Sequence, residues 1–126
     1  MRTAHLRRLL EIVATDASFQ PVDLQGAAAW AGKCIHCNAR LVVRADGTPV
    51  GPVTVEHLVP LSAGGTEAPD NLALACAACN HEKGRRHDPR YGRTARSVEV
   101  VQNLLDKRRS RLRPPPPPLN PGYRRR

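Results

Sequence analysis

Apolar positions along the chain change period several times, and each change predicts an element. Leu6, Leu9, Leu10 and Val13 recur at i, i+3, i+4 and i+7, the stripe of an amphipathic helix over residues 2–14. Residues 23–31 (DLQGAAAWA) predict a second short helix, with Asp23 as its cap and Gly26 as a weak point. Leu41-Val42-Val43 and Val53-Thr54-Val55-Glu56-His57 read as strands around the turn signal Ala45-Asp46-Gly47-Thr48, so 41–57 is expected to form one hairpin. Pro60 to Pro69 reads as a loop centred on Gly64-Gly65, after which Leu72 and Leu74 resume order. A helix is expected from about Ala77 to Arg86, ending near Gly84 or Pro89. The last helix spans 97–112 with Ser97 as cap; Val98, Val101, Leu104, Leu105 and Leu112 form its stripe, and Arg108, Arg109 and Arg111 fall mainly outside it. Pro114 to Pro118 then begin a polyproline tail that ends in Arg124-Arg125-Arg126 and is expected to stay out of the core.

Composition narrows what such a chain can be. Its 126 residues suit one core, and Phe19, Trp30, Tyr91 and Tyr123 are all the aromatic residues it has. A core this thin calls for a staple. The net charge is +9, unevenly spread: residues 1–82 hold 6 Lys/Arg against 8 Asp/Glu, and residues 83–126 hold 14 against 3. A segment at +11 calls for a polyanion, nucleic acid foremost and acidic membrane second. No apolar stretch is long enough for a transmembrane helix, and the N-terminus lacks the continuous apolar run of a secretory signal. A cytoplasmic location is expected, where disulfides are disfavoured.

That matters for Cys34, Cys37, Cys76 and Cys79, which form two C-x2-C pairs with thirty-eight residues between them. Four thiolates saturate one tetrahedral zinc and leave no open position, so the expected site is structural. Local disulfides, a redox pair and free buried thiols are the other readings. His36, inside the first pair, is expected to be a solvated knuckle residue, with ligation as its alternative.

The stretch VTVEHLVPLSAGGTEAPDNLALACAACNHEKG carries the remaining chemistry. An adjacent carboxylate and imidazole close a strand, an Asn follows a Gly-Gly loop, and a second Asn and a His open a helix. Such donors can hold one divalent ion with open positions, and an imidazole beside it can take a proton from water.

In these residues the chain resembles the HNH endonuclease family. The resemblance covers roughly 33–87: the first C-x2-C, Glu56-His57 before Leu58-Val59-Pro60, then Ser62-Ala63-Gly64-Gly65-Thr66, Asp70-Asn71-Leu72, and Cys76-x2-Cys79-Asn80 with Lys83. It implies an α+β protein with a ββα-metal core, stapled here by the four-cysteine zinc and flanked by helices. It also implies roles. His57 is the general base, Glu56 the acidic metal ligand, Asn71 the residue that fixes the loop carrying the base, and Asn80 the second metal ligand. His81 is the alternative to Asn80. The implied reaction is Mg2+- or Mn2+-dependent hydrolysis of DNA, nicking one strand at a time and leaving 5′-phosphate and 3′-hydroxyl ends. Two departures stand out: Glu56 replaces the commoner Asp, and Asn80 replaces His, a change that suits a hard cation. Family members serve phage packaging, mobile-element homing, restriction and host defence.

Lys83, Arg85, Arg86, Arg90, Arg93 and Arg96 follow the second cysteine pair and are expected to contact duplex phosphates. The tail is expected to be a disordered DNA arm or a link to a protein partner. The expected organisation is a helical segment at 1–32, a nuclease core at 33–90, a basic helix at 91–113 and a Pro/Arg-rich tail at 114–126. Two rival readings are a zinc-stapled nucleic-acid-binding module without catalysis and a nuclease acting on RNA. The scarcity of aromatics to stack single-stranded bases weighs against the latter.

Overall fold

The computed structural model describes residues 2–81 and 90–120. Helix α1 (Arg2–Thr15) forms where the apolar stripe places it. Leu9 and Val13, joined by Ile12, are buried, and Leu6 and Leu10 pack at the edge of the core.

The chain then departs from the expected second helix. Residues 20–33 form an antiparallel hairpin of β1 (Gln20–Leu24) and β2 (Ala27–Lys33). Its two-residue turn has positive φ at both Gln25 (52°) and Gly26 (89°), the backbone twist that suits a tight hairpin and breaks a helix. Alanine-rich β2 is central in its sheet: it pairs β1 on one side and β3 (Arg40–Arg44) on the other. Burial of Ala28, Ala29 and Trp30 in that position outweighs alanine's helical preference.

The hairpin expected over 41–57 is also replaced. The Asp46-Gly47 turn closes tightly, with Thr48 N–H donating to Asp46 Oδ1 at 2.9 Å and Arg44 N–H to Thr48 O at 2.8 Å. The returning strand is therefore only β4 (Pro49–Val50), an edge strand that tolerates a proline without an N–H. The four-stranded sheet runs in the order β1-β2-β3-β4. After Gly51-Pro52, β5 (Val53–His57) leaves for a second sheet, where it pairs antiparallel with β6 (Leu72–Cys76). The register sets Glu56 opposite Ala73 and His57 opposite Leu72. Leu72 to Ala75 are all buried, so β6 reads as a continuous apolar run rather than an alternating one. Helix α2 (Ala77–His81) follows β6 without a loop and packs on both strands.

Helix α3 (Ala95–Ser110) is capped by Thr94, whose hydroxyl accepts from Ser97 N–H, rather than by Ser97 itself. Val101 is buried and Leu104 and Leu105 pack on the core, whereas Val98 and Leu112 are exposed. Arg108 reverses its expected place outside the stripe: it is fully buried. Its guanidinium donates to Leu72 O (2.8 Å), Thr15 O (3.0 Å), Thr15 Oγ1 (2.9 Å) and Pro69 O (3.1 Å). Arg113 donates to Ala14 O (3.0 Å) and Val13 O (2.9 Å). The last turn of α1 has no basic residue of its own, so two arginines from the far end of the chain satisfy its terminal carbonyls. Arg108→Ala takes from Leu72 O its guanidinium donor and leaves Thr15 O and Pro69 O with one backbone donor each, from Arg113 N–H and Leu72 N–H, and is expected to destabilise the fold by about 1–3 kcal/mol. Urea unfolding of the zinc-loaded protein measures this, and a loss under about 1 kcal/mol would show that water replaces the guanidinium.

The tail also departs from expectation over 114–120. Pro115, Pro116, Pro118 and Leu119 line a groove with Leu10, Ala14 and Trp30, and Leu119 packs against the core. Arg113 stacks over the Trp30 ring at 5.6 Å, which starts the proline run along α1. A rigid proline run loses little entropy on docking, so a shallow apolar groove is enough to hold it. Residues 121–126 lie outside the described residues.

Candidate metal centre and nuclease site

The knuckle Cys34–Cys37 sits at the turn between β2 and β3. Asn38 adopts positive φ (64°), Asn38 N–H donates to Cys34 O (3.1 Å), and Ile35 N–H donates to Leu74 O (3.0 Å), which ties the knuckle to β6. Cys76 ends β6 and Cys79 lies on α2, so the second pair faces the first. Cys34 Sγ lies 3.8 Å from Cys79 Sγ, and Cys37 Sγ lies 3.7 Å from Cys76 Sγ. All four sulfurs fall within 4.8 Å of one another, and none is bridged. A tetrahedral zinc with Zn–S bonds of about 2.3 Å sets its sulfurs about 3.8 Å apart, so the cluster fits that ion.

The thiols are tuned unequally. Burial raises the Cys34 thiol, but N–H groups of Cys37, Cys76 and His36 together outweigh it and lower the pKa. The Cys79 N–H lowers Cys76 to about 7. Burial and the neighbouring sulfurs push Cys79 up. Four crowded thiols cannot all ionise without a cation among them. Helix α3 adds positive charge nearby: Lys107 Nζ donates to His36 O (3.4 Å), and Arg111 donates to Asn38 Oδ1 (2.6 Å) and Lys33 O (3.2 Å). Part of the basicity expected for nucleic acid thus serves the knuckle and the end of α1.

At the end of β5, Glu56 and His57 meet different partners. Glu56 is buried, with 1% of its side chain exposed, and its Oε2 lies 2.6 Å from His36 Nε2. His36 is therefore no solvated knuckle residue: 80% of its side chain is covered because the knuckle folds back over β5. His57 is half-buried and its Nε2 meets Glu67 Oε1 at 2.9 Å. Arg8 of α1 holds the other oxygen of Glu67 at 2.8 Å. The hydrogen bond from His57, and then the charges of His57 and Arg8, lower the Glu67 pKa.

Asn71 is buried and its side chain makes three bonds. Oδ1 accepts from Val59 N–H (2.8 Å), and Nδ2 donates to Val59 O (3.1 Å) and Thr66 O (2.8 Å). Leu58 N–H donates to Asn71 O (2.8 Å) as well. The segment after His57 is thereby fastened to the start of β6. Gly65 completes the loop: its N–H donates to Pro60 O (2.9 Å), and a Cβ there would overlap Val59 O. Asn71→Asp keeps the acceptor for Val59 N–H but sets a carboxylate oxygen against two carbonyls. It is expected to cost about 2–3 kcal/mol, no less than Asn71→Ala. Hydrogen exchange at Val59 tests this, with unchanged protection as the contrary result.

The side chains of Asn80 and His81, and all of Lys83, Arg85 and Arg86, lie outside the described residues. Arg90, Arg93 and Arg96 are exposed, and Arg93 also donates to Ser62 O at 2.6 Å, linking the turn before α3 to the Gly-Gly loop. Sequence reasoning missed Glu67, Arg8, Lys107 and Arg111. Glu67 had one faint signal, since an imidazole at a strand end needs a partner to orient it; the other three had none.

Two paired strands running directly into a helix, with a thiol cluster at the junction and an imidazole and a carboxylate at the end of β5, form a strand–strand–helix unit with a possible metal site in a mixed α/β chain. Residues 46–95 match the family model described as HNH endonuclease, so this part of the chain is similar to that family. The match covers the hairpin, the second cysteine pair and the segment up to α3, but not the first cysteine pair. Searches of the curated proteins and of the solved structures gave no match.

Proposed function

We propose that this protein is a metal-dependent endonuclease that hydrolyses DNA phosphodiester bonds. The observation that carries the reading is the setting of His57: an imidazole at the end of the matched hairpin, oriented through Nε2 by Glu67, on a loop pinned by Asn71. If Nε2 carries the proton given to Glu67, Nδ1 keeps a lone pair, and that nitrogen accepts the proton of the attacking water. Asn71 holds the loop so that the ring meets the water at a fixed angle. Glu56, with Asn80 or His81, would hold a divalent cation. Bound there, the cation supplies charge stabilisation for the pentacoordinate phosphorus and the leaving 3′ oxygen. The zinc fits a purely structural role, since four thiolates leave it no open position.

Exposed Arg90, Arg93 and Arg96 would contact backbone phosphates, a mode that binds without reading sequence and weakens steeply with salt. One base and one cation cut one strand, so the expected product from supercoiled plasmid is the nicked circle with 5′-phosphate and 3′-hydroxyl ends. The test is plasmid relaxation by zinc-loaded protein in Mg2+, Mn2+ and EDTA, with structured RNA in parallel. Nicking that needs the added metal and prefers DNA supports the reading. Protein that shifts DNA but stays inert in every metal would favour the non-catalytic binding module.

A further inference from the structure

The zinc knuckle and the nuclease hairpin meet at His36 and Glu56. His36 lies between Cys34 and Cys37, and its Nε2 stands 2.6 Å from Glu56 Oε2. The carboxylate is buried (1% exposed), while the imidazole keeps 20% exposure, so this pair has an inner anion and an outer face toward solvent. Across the strand pair its opposite number is Ala73. Two neighbouring ligands of a divalent cation, with bonds of about 2.1 Å, stand about 3.0 Å apart. The 2.6 Å pair lies within about half an ångström of that separation. The thiol cluster nearby shows the same convergence of ligand atoms from the knuckle and from the β6–α2 segment.

We propose that His36 Nε2 and Glu56 Oε2 are joint ligands of the module's divalent cation. The inference rests on the reading of Glu56 as a cation ligand given under Proposed function, and adds to it an imidazole from outside the matched segment. The structural zinc then orders a ligand of the second metal, because the backbone that places Cys34 and Cys37 also places His36. An imidazole nitrogen moves the preference from Mg2+ toward Mn2+ and softer ions.

The test uses the full chain loaded with one zinc and Mn2+ as the probe. Electron paramagnetic resonance counts bound Mn2+, and electron spin-echo modulation reports nitrogen coordinated to it. The expected result is one Mn2+ per chain with a nitrogen signal. The signal is lost in His36→Ala, which binds at least about tenfold more weakly, a loss that even a partner outside the ligand set can cause. The signal persists in His57→Ala and His81→Ala. Zinc content identifies any variant that fails to fold, and His36→Asn, which keeps a short polar side chain without the ring, then serves in place of His36→Ala. With His81→Ala in the background, so that the other candidate imidazole contributes nothing, a nitrogen signal that survives loss of the His36 ring overturns the proposal. So does Mn2+ bound in wild type without nitrogen and lost in Glu56→Gln; Glu56 is then a ligand and His36 only its hydrogen-bond partner. Absence of Mn2+ binding in wild type, or binding unaffected by Glu56→Gln, overturns the reading of Glu56 and this proposal with it.

Discussion

His57→Ala is expected to lower metal-dependent plasmid nicking by about 10²–10⁴-fold, the usual contribution of a positioned general base. Zinc content and the DNA gel shift should stay at wild-type levels. The separation follows from the structure: the ring is half-buried at the edge of the hairpin, and its described polar contact is with exposed Glu67 rather than with the core. Its removal leaves the β5–β6 pairing, the Asn71 bonds and the thiol cluster in place. Glu67→Gln should lose less, because an amide still accepts from Nε2 and Glu67 acts on the reaction only through His57. Cleavage unchanged in His57→Ala would mean that the water is activated elsewhere, and the assignment of the hairpin's end would fail. The mutant's contrast of lost cleavage with retained binding also separates the enzyme from a binding-only module.

Removal of the zinc is expected to unfold the protein. Structural zinc contributes about 10–16 kcal/mol of apparent binding free energy in small finger domains near neutral pH. A domain of this size has about 5–15 kcal/mol of total stability. The core has Phe19 and Trp30 as its aromatic residues, and the knuckle links β2 and β3 to β6 and α2 across it. Chelation, or Cys34→Ser, should therefore abolish the cooperative thermal transition followed by circular dichroism. Retention of the wild-type transition in chelated protein would refute the staple.

Acid should act in the same direction as chelation. Cys34 and Cys76 have thiol pKa values lowered in the folded chain, Cys76 to about 7. A lowered thiol pKa contributes stability that is present above the unfolded thiol's pKa and is lost as pH falls through the folded value. Zinc binding releases thiol protons, so its affinity falls over the same range. Cys79, raised by burial and its neighbours, works against the other two until a cation compensates the crowded charge. Zinc release on stepwise acidification below about pH 7 is the expected outcome, measured with a colorimetric chelator.

Several features were legible from residue spacing alone, because the physics behind them is local. The stripe of Leu6, Leu9, Leu10 and Val13 is set by helical period, and α1 forms over it. The paired cysteines converge because C-x2-C is a short-range unit, and two such units suffice for one tetrahedral ion. The order of motifs from Glu56-His57 to Cys79-Asn80 carried the resemblance to the HNH endonuclease family, and the family-model match over 46–95 agrees. What the spacing could not determine was decided by partners distant in the chain. Residues 23–31 carry a helical composition, but a positive-φ turn at Gln25-Gly26 and two flanking strands make them a sheet centre. Val53 to His57 read as a strand from its own residues, yet its partner is β6 rather than β3, since strand pairing depends on which edges tertiary packing brings together. Arg108 belongs by composition to a basic surface. It is buried because the carbonyls at the end of α1, ninety-three residues earlier, need donors that α1 lacks. His36 shows the same limit at the site: its neighbours in sequence are zinc-fit thiols, and only the folding of the knuckle over β5 gives it Glu56 as a partner.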